Sequence, residues 1–587
     1  MLTGPGGQGK TRLARRLTET LGWRGWVTGH LNSDLTDDPA PATAPPDFTT
    51  LATSLSLLLV VDYAETRPRL LSSLITHLHR SRHRVRVLLL ARSDGQWRIG
   101  SPEAVPAVRD LLENSPVIPL APLIPTSQPA RDRHDAFRRA AHDLARLLPL
   151  LDLPAHDWTS LAATLQPPAE LHDYRYDNVL TLQMTALVAL LQQGPQPVDS
   201  APGIPLESTL LRHEERFWRA SANGPAYELD LPAPALRAAV AVAALCGAGT
   251  LDEALSVITT LPGLPAHQTE LAAEWLASLY PADGNRYWGS LQPDRIAEYH
   301  ASRTLINRNS KLPVLLAAAA PGQQAQLITV LARAAIAHYN VGRATDCEHV
   351  LRTLDTALDT ASLSYQALQT ATAALPYPSR ITSPLALRLT TFLVHANQQR
   401  AAGNPAAYEP DFARSLSNRG MRLAELGRWG EALAPTEQAV EIYRRLAASN
   451  PAAYEPVLAA SLSNLGNHLL QAGRWGEALT ATEQAVEIRR RLAASNPAAY
   501  EPDLATSLSV FATLLAVGGD LSGALGATRE AVELFRSHVV TMPSIFPRLH
   551  TVLGLQADLL EELGHEEEAE SVRHRLRENP LPPDPHN

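Results

Sequence analysis

Eight residues near the start of the chain, Gly4-Pro5-Gly6-Gly7-Gln8-Gly9-Lys10-Thr11, have the spacing G-x-x-x-x-G-K-[ST] of a phosphate-binding loop. The glycines Gly4, Gly6, Gly7 and Gly9 let the backbone curl so that successive N–H groups converge on an anion. Lys10 then reaches the β and γ oxygens of a nucleotide, and the Thr11 hydroxyl binds Mg²⁺. Asp62 follows the apolar run 55–61 and is placed to hold the same Mg²⁺, directly or through water. Glu65 is the nearest candidate for polarising an attacking water; its other reading is a solvated loop acid. Arg92 comes just after the apolar stretch 84–91, where its forked donors could read a γ-phosphate, or else bridge to Asp94 or cap the loop. These types at these spacings lead us to expect ATP or ADP with Mg²⁺ as cofactors, and slow hydrolysis with Asp62, Glu65 and Arg92 as catalytic residues. Of 51 basic residues only Lys10 and Lys311 are lysines, so a chain that uses arginine almost everywhere keeps lysine inside this loop.

Such a loop must be carried by a parallel strand and must open a helix. The helix is legible in TRLARRLTETLG, with Leu13, Leu17 and Leu21 at i, i+4 and i+8 and Gly22 at the end. Its N-terminus favours an anion. The run 55–61 reads as a strand buried on both faces, 84–92 as another, and 117–123 and the segment around Trp26 as two more. The strand before the loop has only Met1, Leu2 and Thr3, fewer than the roughly five residues usual for a strand, and reads as truncated.

Past Leu123 the pattern becomes helical, as in ARDRHDAFRRAAHDLARLLPLL and NVLTLQMTALVALLQQG, and reads as a lid. From about Leu231 come three helical segments, a turn at 282–285, the strand-like RYWGSL and the helix DRIAEYHASRTL, an order that suggests a winged-helix-like module. The last third is a repeat. Asn-Pro-Ala-Ala-Tyr-Glu-Pro begins at Asn404, Asn450 and Asn496, both intervals being 46 residues. Small residues recur in register at Gly420, Gly466 and Ala512, at Ala432, Ala478 and Ala524, and at Ala439, Ala485 and Ala531. This is the tetratricopeptide pattern with a lengthened connection, and ELGHEEEAE reads as a degenerate last unit. Stacked units present a concave surface to a protein or peptide; a rigid spacer is the other reading.

The expected fold is therefore multidomain, α/β plus all-α: a P-loop parallel-sheet domain at 1–125 with its first strand truncated, a helical lid at 126–228, a winged-helix-like domain at 229–310, a helical linker or arm at 311–403, and a tetratricopeptide superhelix at 404–587. A length of 587 residues fits several domains. The net charge of -9, without a long basic run, argues against direct nucleic-acid binding. No stretch approaches the roughly 20 apolar residues of a membrane span. Cys246 and Cys347 have no metal or redox spacing and read as buried side chains in a reducing compartment, so a cytoplasmic protein is expected.

In this order, GPGGQGKT, LLLVVDYAE, LLLAR, a lid, a winged helix and repeats, the chain resembles STAND-class signal-transduction NTPases, close to NB-ARC and AfsR-like ATPases with tetratricopeptide C-termini. The resemblance implies an ADP-bound closed state, a stimulus sensed by the repeats, exchange to ATP and nucleotide-dependent homo-oligomer assembly. It departs from the NB-ARC pattern twice. The lid stretch Asn178-Val179-Leu180-Thr181-Leu182 has Val179 where that family has proline, and Gln292-Pro293-Asp294 has proline where the Met-His-Asp motif has histidine. The alternative to a switch is a tetratricopeptide scaffold with a structural, non-cycling nucleotide site; a small-molecule kinase is a third reading, with no acceptor site to support it.

Overall fold

The computed structural model describes residues 1–4, 6–31, 48, 51, 55–78, 83–92, 111–112, 115–125, 130–151, 155–195, 197, 204–282, 286–306, 311–376, 379–539, 542 and 545–580. Pro5, Asp94 and most of the turn at 282–285 lie outside them. The described residues form 23 α-helices and five short strands. They fall into two compact units, Met1–Trp97 with Ile118–Pro376, and Arg98–Val117 with Tyr377–Asn587. No helix among the described residues is long and apolar enough to cross a membrane.

The first unit holds a five-stranded parallel sheet, β1 (Leu2–Thr3), β2 (Val27–His30), β3 (Leu57–Val61), β4 (Val85–Ala91) and β5 (Ile118–Pro119), in the order β2-β3-β4-β1-β5. Every residue of β3 is buried, which is why its sequence is a continuous apolar run without alternation. β1 has two residues and is paired on both sides: Leu2 lies opposite Leu90 and Ile118, and Thr3 opposite Ala91 and Pro119. Backbone bonds extend this short strand, with Ile118 N donating to Met1 O at 2.8 Å and Leu120 N to Thr3 O at 2.7 Å. Two helices belong to the sheet, α1 (Lys10–Gly22) and α2 (Pro68–Leu78).

Twelve helices complete the unit: α3 (Ala130–Leu147), α4 (Trp158–Thr164), α5 (Val179–Gln193), α6 (Leu206–Ala222), α7 (Ala233–Cys246), α8 (Leu251–Ile258), α9 (Thr269–Leu279), α10 (Asp294–Ile306), α11 (Leu312–Ala318), α12 (Pro321–Asn340), α13 (Ala344–Thr360) and α14 (Tyr365–Ala374). Helix α7 is buried along most of its length, as its Ala- and Val-rich sequence requires, and packs on α10 and α12. The strand-like RYWGSL does not form a hairpin among the described residues. It makes one antiparallel bridge, Ala248 to Trp288, and then turns back where Gly289 N donates to Tyr280 O at 2.7 Å. A β-carbon at Gly289 would come within 2.8 Å of Pro281 O, so this close approach of the two backbones needs glycine. Cys246 and Cys347 are free and buried.

The second unit is a stack of helices: α15 (Ser383–Gly403), α16 (Pro405–Glu425), α17 (Trp429–Ser449), α18 (Pro451–Gln471), α19 (Trp475–Ser495), α20 (Pro497–Val517), α21 (Leu521–His538), α22 (Phe546–Glu562) and α23 (Glu566–Glu578). Each helix packs on the next. The Asn-Pro pairs start α16, α18 and α20, with Asn404 and Asn450 accepting from the N–H groups of Ala407 and Ala453. Gly420 and Gly466 are small for a steric reason: a β-carbon at either would lie 2.1 Å from Thr436 Oγ1 or 2.3 Å from Thr482 Oγ1 on the facing helix. Ala432, Ala478, Ala524, Ala439, Ala485 and Ala531 are all fully buried between paired helices. The pairs are stitched at a 46-residue interval by Arg445–Glu409, Arg491–Glu455 and, one residue later, His538–Glu501. Helix α15, which the sequence assigned to the arm, joins this stack through α16, so the structural division comes at residue 376 and not at 404.

Candidate functional site

The loop 4–11 leaves the carboxyl end of β1 and enters α1. Gly7 and Gly9 have φ of +82° and +87°, a region that strains any residue with a β-carbon, and Gly9 is the N-cap of α1. The loop is held from within by Lys10 Nζ, which donates to Gly4 O at 2.5 Å. At the end of β3, Asp62 accepts from Thr11 Oγ1 at 2.7 Å through Oδ2 and from Tyr63 N at 2.9 Å through Oδ1. Residues 51 apart in sequence thus meet at one sheet edge. No group of three or more His, Cys, Asp or Glu side chains among the described residues is arranged to hold a metal ion by itself; at this edge Thr11 and Asp62 are the two oxygen donors a hard cation could use.

Glu65 is not a solvated loop acid. It is 3% exposed, and its Oε1 accepts from Arg92 N at 3.2 Å. Arg92 turns its guanidinium toward α10, where Nη1 donates to Glu298 Oε1 at 2.7 Å and Nη2 to Asp294 Oδ2 at 2.9 Å. Asp294 Oδ2 also accepts from Tyr63 Oη at 2.7 Å. Arg333 of α12 adds a third cation beside Lys10 and Arg92, its Nη2 3.6 Å from Glu65 Oε1, so three cations and the four acids Asp62, Glu65, Asp294 and Glu298 cluster next to the sheet edge. Burial holds Lys10 well below its ordinary value, at about 8, with Arg92 adding to the effect. Burial opposes the charge on Arg92, but Glu298 and Asp294 outweigh it and strengthen its hold on the proton. Burial likewise pushes Asp294 up, and Arg92 and Tyr63 more than reverse it. In Glu298 burial prevails over Arg92, so that carboxyl is raised.

The stretch 178–182 lies against the loop. Asn178 Nδ2 donates to Gly6 O at 2.8 Å, while its Oδ1 accepts from Leu180 N and Thr181 N and caps α5. A β-carbon on Gly7 would fall 2.6 Å from Leu180 Cβ. The same region is tied to α10 by Arg295, which donates to Glu207 Oε1 at 2.8 Å and to Thr181 Oγ1. Neighbouring residues at the start of α10 thus grip two partners, Asp294 the residues at the sheet edge and Arg295 the helices α5 and α6.

The structure brings Lys10, Thr11, Asp62, Glu65 and Arg92 together with Gly4, Gly6, Gly7 and Gly9, and pairs Arg92 with α10. Sequence reading missed Glu298, Tyr63 and Arg333. Glu298 had a signal, since it lies four residues after Asp294 on one helix face; Arg333 had none.

A tetratricopeptide repeat family model matches residues 412–450 and 458–497. This segment consists of tetratricopeptide repeats. No curated protein matches the chain. Among solved structures the chain is similar to the nearly identical TPR-like repeats of a Podosopora anserina protein assigned as a kinesin light chain, at 21% identity over 33% of this chain and 85% of that one, with a TM-score of 0.27. It is also similar to a signal transduction ATPase with numerous domains (STAND) and a tetratricopeptide repeat sensor from Pyrococcus horikoshii, at 11% identity over 98% and 86% of the two chains, with a TM-score of 0.30. A third is a Rap protein complexed with competence and sporulation factor, at 12% identity over 56% and 94%, with a TM-score of 0.24. These identities and TM-scores transfer no function to this chain.

Proposed function

We propose that the chain is an ATP/ADP-binding signal-transduction switch whose repeats dock or sense a protein partner and control nucleotide-dependent assembly. The observation that carries this reading is the hydrogen bond between Thr11 and Asp62, which joins the loop hydroxyl to the strand-end acid at the place a Mg²⁺ would need both. On this reading 1–125 is the nucleotide domain, 126–228 the lid, 229–310 the winged-helix-like domain and 311–403 the arm. The loop N–H groups and Lys10 bind the phosphates, Thr11 and Asp62 hold the cation, and Glu65 accepts a proton from water. Mg²⁺, when bound, neutralises charge on the phosphate oxygens. The ion triad Arg92–Asp294–Glu298 belongs to a closed state. Release of Arg92 from those two acids would free α10, and with it the lid that Arg295 holds. Repeats of this kind form protein-docking surfaces, and the matches at 412–450 and 458–497 support placing the partner there.

The test is Lys10→Ala in the full chain. It removes a charge-assisted donor worth about 1.5–3 kcal/mol, so ATP affinity measured by calorimetry should fall roughly ten- to a hundredfold. Unchanged affinity would refute the nucleotide site. Bound nucleotide with no turnover, with or without a partner, would favour the scaffold reading.

A further inference from the structure

The candidate proton acceptor is held by a residue outside every motif the sequence displayed. Arg333 lies on α12, 268 residues beyond Glu65, and its Nη2 is 3.6 Å from Glu65 Oε1. That same oxygen accepts the Arg92 N–H at 3.2 Å. The other oxygen, Oε2, is buried and has no hydrogen-bond partner among the described residues. A carboxylate fixed through one oxygen with the second left to accept is the arrangement a general base needs, because proton transfer depends on the acceptor's aim as well as its charge. We propose that Arg333 is a positioning residue for Glu65, so that the arm helix α12 is a working part of the nucleotide-hydrolysing centre. This rests on the nucleotide reading above and adds the element that regulates its chemical step.

Two observations support Arg333 in this role. Its guanidinium lies 5.7 Å from the centre of the Tyr63 ring, and Tyr63 is itself held at φ +52°, a strained conformation, with its hydroxyl on Asp294. The turn 63–65 is therefore gripped from α10 through Asp294 and from α12 through Arg333, and α14 also packs on it. Second, the pair is open: at 3.6 Å the Nη2 group makes no hydrogen bond, which suits an adjustable restraint better than a structural clamp. Helix α12 packs on α7, α10, α13 and α14, so any shift of these helices against the sheet moves Arg333 and changes where Glu65 points.

The experiment uses the full chain with ATP and Mg²⁺, and compares wild type, Arg333→Gln, Arg333→Lys, Glu65→Gln and the Arg333→Gln/Glu65→Gln double variant. Calorimetry gives affinity and a single-turnover assay gives the hydrolysis rate. Arg333→Gln should bind ATP within about threefold of wild type and hydrolyse it about ten- to a hundredfold more slowly. Arg333→Lys, which keeps the charge, should recover part of the rate. The double variant should be no slower than Glu65→Gln alone, because the two residues act as one unit. A wild-type rate in Arg333→Gln, a double variant slowed by the product of both factors, or a loss of affinity as large as the loss of rate would each overturn the proposal. If Arg333→Gln does not fold, Arg333→Lys decides: a slowed rate with wild-type melting supports the assignment, and a wild-type rate rejects it. Wild-type protein that binds no ATP overturns the nucleotide reading and this proposal together, and is distinguished by being seen before any variant is made.

Discussion

Replacing Gly7 by alanine isolates the contact that keeps the start of α5 on the glycine-rich loop. Two separate costs follow from the structure. At φ +82° the new β-carbon strains the backbone by about 1–2 kcal/mol. It also lies 2.6 Å from Leu180 Cβ and 2.9 Å from Asn178 Oδ1, an overlap that costs about 1–3 kcal/mol unless the start of α5 moves away. Gly9→Ala provides the control, because Gly9 has nearly the same φ, +87°, and a β-carbon there meets nothing within 4 Å. Both variants should bear the backbone strain, and only Gly7→Ala should displace the start of α5, breaking the bond from Asn178 Nδ2 to Gly6 O. Hydrogen exchange on the ligand-free protein reads this directly. Amides in the first turns of α5 should exchange about ten- to a hundredfold faster in Gly7→Ala than in Gly9→Ala, a ratio that corresponds to about 1.4–2.8 kcal/mol of local opening. Equal exchange in the two variants would refute the claim that α5 is seated on the loop through Gly7.

Three further expectations concern the rest of the molecule. Gly466→Val should destabilise the repeats by about 2–3 kcal/mol in denaturant unfolding. Gly466→Ala should cost much less, since Ala512 already occupies the equivalent position, where Thr528 donates to Leu525 O and so turns aside; equal losses would contradict the packing account. Burial holds His468 at about 4, below its ordinary 6.5. The unfolded chain therefore takes up the extra proton between those values, and stability present above pH 6.5 is lost as pH falls toward 4, by up to roughly 3 kcal/mol. His468→Leu should flatten that part of the pH–stability curve. Arg92→Gln strands Glu298 without its cation in a buried site and should cost about 3–5 kcal/mol, whereas Arg92→Gln with Glu298→Gln should recover much of it, as measured by thermal unfolding of the first unit.

The sequence determined those features whose physics is local or periodic. Glycines at fixed offsets before Lys10 and Thr11 permit only a curled loop entering a helix, and an unbroken apolar run before Asp62 has to be a strand covered on both faces. The 46-residue recurrence of Asn-Pro and of small residues dictates helix pairs in close contact, because a β-carbon at Gly420 or Gly466 would press on the hydroxyl of Thr436 or Thr482 across the pair. The helices expected after Leu231 formed, whereas the strand-like RYWGSL made one bridge at Trp288 among the described residues. What only the tertiary structure decided are the partners of charged side chains brought together from distant helices. Arg92 has as its partners Asp294 and Glu298, more than 200 residues away, and Glu65 is buried by contacts that no neighbour in the chain announces. Arg333 sits in an ordinary helix sequence and acquires its role from where α12 packs. Helix α15 joins the repeats though it lacks their motif, since a helix face needs only matching apolar residues to stack. A periodic pattern reports the face a helix must bury; which distant charge meets that face depends on the summed packing of every element between them, and that sum exists only in the folded chain.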